Sequence, residues 1–83
     1  MNKEKLKNDV IDCYIKMKIT NCPNFFGMIT KCGYTYTQIM ETKIMNNIVA
    51  PAMTIGEQIY NDPYKLKQWL LKKKMDRIAN DFN

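Results

Sequence analysis

The sequence has no histidine, and its 83 residues include only three glycines, three prolines and a single arginine. Without histidine there is no side chain whose ordinary pKa suits proton transfer near neutrality. A glycine-rich phosphate loop is also missing, as is any serine or cysteine motif with a positioned base. An enzyme is therefore not expected, and no cofactor or small-molecule substrate is implied. Cysteines 13, 22 and 32 are too far apart for the close pairs that zinc needs, so no metal site is expected and the three thiols read as buried or half-buried packing. An odd number of cysteines also argues against the disulfide framework of a small secreted domain and points to the reducing, intracellular milieu of the cytoplasm. The longest apolar run, residues 48–53, contains Pro51, and Asp9 and Asp12 interrupt any signal-like core near the amino terminus. No membrane association is expected.

What the sequence does have is positive charge, a formal net of +5 with a pI near 9.2. Excess lysine suggests an anionic partner. Lysine, isoleucine and asparagine together supply 31 residues, however, and all three use AT-rich codons, so coding bias contributes to the basicity. Lysine outnumbers arginine 12 to 1, although arginine makes the planar bidentate contacts that base readers favour. Such a balance supports loose electrostatic attraction better than sequence-specific readout.

A chain of this length supports one core, so residues 1–83 are expected to form a single domain. Leu6, Val10, Cys13, Met17 and Thr20 recur at helical spacing, and Ile11, Ile15 and Ile19 form a second row, which predicts a largely enclosed helix over 3–20. Asn24 can cap a short helix ending near Gly33. Thr35 and Gln38 have capping-box spacing and open a third helix, which Pro51 is expected to end. Thr54 with Glu57 reads as another capping box, and Asp62-Pro63 as the cap and first residue of a last helix running to about residue 80. The fold class is thus all-α, a bundle of four to five short helices. The alternative is α+β, because residues 14–20 and 34–39 each alternate as the strands of a short hairpin would.

The last helix carries the strongest signal. Tyr64, Leu71, Met75, Ile78 and Phe82 form one stripe, expected to face the core. Leu66, Trp69 and Leu70 lie opposite, with Lys73 and Arg77 beyond them, and are expected to form the partner-binding face. Residues 63–77 hold six positive charges against Asp76 alone. Six internal methionines add adaptable apolar surface. These features predict a non-enzymatic protein-binding module or homodimer, of the kind with which phages and plasmids inhibit or regulate a host machine, or else a small subunit of an assembly.

The alternative is a basic nucleic-acid-binding regulator, with Lys65, Lys67, Lys72, Lys73, Lys74 and Arg77 on phosphates. Residues 25–44 can be laid on a degenerate helix-turn-helix, with Gly33 at the turn and Ile39 as the buried residue of the second helix. Thr37, Gln38 and Lys43 would then face the groove. Ile29 and Thr42 depart from that pattern.

Overall fold

Helix α1 (Lys3–Thr20) begins where the Asn2 side chain accepts the Lys5 N–H at 3.0 Å, and ends at Asn21, whose left-handed backbone (φ 54°) points its N–H to the Met17 carbonyl. A computed structural model describes the backbone of residues 2–81 and the side chains of residues 2–73. Helix α2 (Phe25–Lys31) is capped by Asn24, which accepts the Gly27 N–H at 3.0 Å. The chain then turns through Gly33, whose φ of 106° lies where residues with a Cβ are strained. Helix α3 (Tyr36–Met40) opens with the full capping box: Thr35 accepts from Gln38 N–H, and Gln38 accepts from Thr35 N–H.

Among the described residues there is no strand, so the hairpin alternative is overturned. Residues 14–20 are part of α1, and of 34–39 the first two lead into α3 while the other four form its start. Exposure around the first segment explains why. Ile15 is fully buried, Met17 half-buried and Ile19 45% exposed, a gradation around a helix rather than an alternation of two sheet faces.

A second departure concerns Pro51, expected to end a helix. Helix α4 (Thr42–Ile44), a π-helical turn (Met45–Val49) and helix α5 (Ala50–Asn61) instead run on in right-handed helical backbone at every junction. Proline in a helix lacks a donor and drives its ring into the carbonyl four residues back. Here the turn before it is widened, the Ala50 N–H reaching back five residues to the Met45 carbonyl, and Pro51 sits in the first turn of α5. The Thr54–Glu57 capping box is likewise absent. Thr54 lies inside α5 and donates to the Ala50 carbonyl at 3.2 Å, while Glu57 accepts a hydrogen bond from the Tyr14 hydroxyl.

With the continuous run from α4 through the π turn to α5 counted once, as a rod, and α6 (Pro63–Asp81) added, the described residues form an all-α bundle of five helices. Its core joins Leu6, Val10 and Cys13 of α1 to Phe25 and Ile29 of α2, Tyr34, Ile39 of α3, Val49 of the π turn and Ala52 of α5. Each fully buried large aliphatic side chain here contributes about 1.5–3 kcal/mol of transfer free energy. Helix α1 is the central element, with α2, the π turn and α5 all against it. It approaches α5 closely at Gly56, where a Cβ would stand 2.9 Å from Tyr14 Cδ1.

Candidate protein-interaction surface

Helix α6 starts as the sequence predicts. Asp62 Oδ1 accepts the backbone N–H groups of Tyr64 (3.0 Å) and Lys65 (3.3 Å), and Pro63, needing no donor, takes the first helical position. The helix packs on α5 and is pinned to α1 at Asp12. The indole N–H of Trp69 donates to Asp12 Oδ1 at 2.9 Å, and the Lys73 ammonium pairs with Oδ2 of the same carboxylate. Lys73 also stands 6.0 Å from the centre of the indole ring. Asn8 and Ile11 of α1 close the cleft around this group.

This anchor reverses the expected faces of α6. Leu66 and Trp69 are half-buried on the inner side. Tyr64 and Leu71, expected in the core, are 71% and 47% exposed. Leu70 keeps its expected outward place, at 46% exposure. The reason is chemical. A buried indole needs a partner for its N–H, and Asp12 of α1 supplies one. Tyr64, in the first turn of the helix, is left largely exposed. The side chains of Lys74, Met75, Arg77, Ile78 and Phe82, all named from the sequence, lie outside the described residues.

Tyr64 and Leu71, seven residues apart, project within about 20° of one another around the helix. Exposed lysines rim them, Lys65 and Lys72 on one side and Lys67 on the other. Lys73 does not join this rim, because its ammonium is held by Asp12. The outer face is thus an apolar strip between cations.

The helix-turn-helix elements take a different form from the one laid on the sequence. Helix α3 has five residues and breaks at Glu41, whose ψ of 132° is extended. Thr37 and Gln38 are exposed, but the Gln38 carbonyl is engaged in its cap, and Lys43 belongs to α4. No single helix therefore presents Thr37, Gln38 and Lys43 as a groove-reading face. Exposed Phe26 and Tyr36, with ring centres 5.3 Å apart, form a small aromatic patch here together with Met40.

Two polar constellations stitch the bundle. Tyr34 donates its hydroxyl to Asp9 at 2.7 Å, and Lys5 reaches the same carboxylate oxygen at 3.0 Å. The Asp9 hydrogen bond holds the Lys5 ammonium above the usual lysine pKa. Elsewhere the Tyr14 hydroxyl donates to Glu57, with Lys18 3.6 Å from the same carboxylate. The Tyr14 bond is the main cause holding the Glu57 carboxyl below its usual range, and it raises Tyr14 in turn. Both constellations tie neighbouring elements and need no ligand to explain them. Among the described residues no group of three or more metal-ligating side chains converges, and no helix is long and apolar enough to cross a membrane. Comparison with protein-family models, curated protein sequences and solved structures finds no match to this chain.

Proposed function

We propose that this chain is a small protein-binding module, with the outer face of α6 receiving an acidic segment of a partner that carries its own apolar residues. The observation behind this reading is the exposed Tyr64–Leu71 strip, with Leu70 at its margin, set between Lys65, Lys67 and Lys72. Exposed aromatic and aliphatic side chains grouped on one helix face suit docking, and the lysines favour an acidic occupant. Charge argues against a second copy as that occupant: pairing two such faces would bring like charges together with no acid between residues 63 and 73 to relieve them. Such a module fits a regulator or inhibitor of a larger machine, or a small subunit of an assembly.

Capture from lysate, with and without nuclease, tests this when wild type is compared with a Tyr64→Glu/Leu71→Glu variant. The expected result is a protein partner that survives nuclease, is lost from the variant and is released by salt, with the variant's melting temperature unchanged. The second reading, a nucleic-acid surface, draws on the three exposed lysines along one helix. It is favoured if the captured material disappears with nuclease and binding is insensitive to the two glutamates.

A further inference from the structure

Cys13 and Cys32 come together from α1 and the end of α2, with their sulfur atoms 3.8 Å apart. They differ in setting: Cys13 is buried in the core, whereas Cys32, the residue that caps α2, is exposed. Cys22, in the loop between the two helices, is exposed and outside this pair. Two thiols in van der Waals contact, one open to solvent and one shielded, form a recognisable arrangement for stepwise oxidation.

We propose that Cys13 and Cys32 form an oxidant-responsive dithiol, which hydrogen peroxide closes to an intramolecular disulfide. The Cys32 thiolate attacks one peroxide oxygen, giving Cys32 sulfenic acid and releasing hydroxide. The Cys13 sulfur then displaces the hydroxyl from the Cys32 sulfur and loses its proton, so a water leaves. In sum two thiols and one peroxide become one disulfide and two waters; both sulfurs are oxidised and both peroxide oxygens reduced. Burial decides the order. The Cys13 thiol is pushed up to about 12, first by desolvation and then by the neighbouring Cys32, so it holds its proton and lies out of reach of peroxide. Its role is to resolve the sulfenic acid that forms on its neighbour, a slow step because its thiolate is scarce.

The bond would tie the middle of α1 to the end of α2 across a separation of 19 residues, locking one side of the core. In a reducing compartment such a bond is transient, which suits a regulatory rather than a structural role. It lies away from α6 and does not depend on what the outer face of that helix binds.

The test uses the reduced full chain and hydrogen peroxide, read by thiol titration, intact mass and a non-reducing peptide map. Expected are a fall from three free thiols to one, loss of two hydrogens in mass, a single cross-link between the Cys13 and Cys32 peptides, and a melting midpoint higher by on the order of 10 °C. Cys22→Ser should close normally. Cys32→Ser, an exposed substitution that spares the core, should give no intramolecular bond. Cys13→Ser should leave Cys32 as a sulfenic acid trappable by dimedone. The proposal is overturned if the cross-link involves Cys22, if it forms faster in denaturant than in the folded protein, or if Cys32 proceeds to sulfinic acid in wild type without cross-linking.

Discussion

Trp69 and Asp12, 57 positions apart in sequence, are joined by a 2.9 Å hydrogen bond that decides which side of the last helix faces inward. Without an acceptor on α1, the inner face of α6 would hold an unpaired indole N–H, and its packing preference over the Tyr64–Leu71 side would weaken. The same carboxylate neutralises Lys73, so the helix docks with its nearest cation already paired.

Removing the acceptor should therefore loosen α6. Asp12→Ala is expected to destabilise the fold by about 1–3 kcal/mol, since it orphans one partly buried donor and one ammonium. Trp69→Phe, which keeps the ring and loses only the N–H, should cost about 1 kcal/mol. Chemical denaturation checks both, and in Asp12→Ala the tryptophan emission should shift to the red. Unchanged stability in both variants would show that the bond does not hold the helix in place.

Gly56 is expected to resist enlargement. Replacing a helical glycine with alanine ordinarily gains about 1 kcal/mol, but here the new Cβ would meet Tyr14 Cδ1 at 2.9 Å and Tyr14 Cβ at 3.2 Å. Gly56→Ala should therefore gain nothing, and Gly56→Val should lose roughly 1–3 kcal/mol through overpacking. Thermal melts of the two variants provide the check, and a stabilised Gly56→Ala would show that α1 gives way freely.

Alkaline pH should weaken the reduced protein through Cys13. Its folded pKa, about 12, lies above its ordinary 9.0, so its contribution is fully present below pH 9 and is lost progressively as pH rises from 9 towards 12. The raised pKa values of Tyr14 and Tyr34 act in the same direction. Stability curves for wild type and Cys13→Ala should converge across that window; parallel curves would remove Cys13 as a contributor.

At the acid end the sign reverses. Glu57 is held below its ordinary 4.5, so its contribution is present above that pH and fades as pH falls through the folded value. A Glu57→Gln variant should lose stability near neutrality yet show a shallower acid decline, measured by melting temperature from pH 6 downwards. An identical acid decline would mean that the Tyr14 contact does not report on folding.

The parts of this fold that were legible in sequence are those settled within a few residues. Asn24, the Thr35–Gln38 pair and Asp62-Pro63 cap the helices expected of them, because a cap is a local bargain between a side chain and the next two or three N–H groups. Pro51 misled for the same local reason. Its penalty is local, but its remedy, the widened turn at Met45–Val49, leaves no signature in residue type. The faces of α6 were misassigned because counting apolar residues per stripe weighs Tyr64 and Leu71 as heavily as Leu66 and Trp69. What separates them is a hydrogen-bond partner far away in the chain. The reading of all three thiols as buried or half-buried packing holds for Cys13 alone, since Cys22 and Cys32 are exposed, and nothing in their spacing announces that the turn at residues 21–24 folds Cys32 against Cys13.

The π turn gives the rod an unusual sensitivity to length. One residue more than a regular helix needs is taken up between Met45 and Val49, and everything after it is rotated by about 100° relative to what an unbroken α-helix would deliver. That rotation aims Ala52 and Gly56 at α1. A single-codon deletion within the turn, harmless to helix propensity, would swing this face aside and restore the carbonyl that Pro51 must avoid. Val49 within this stretch is held to an apolar side chain by the core, and the number of residues in the stretch is held by the partner helix.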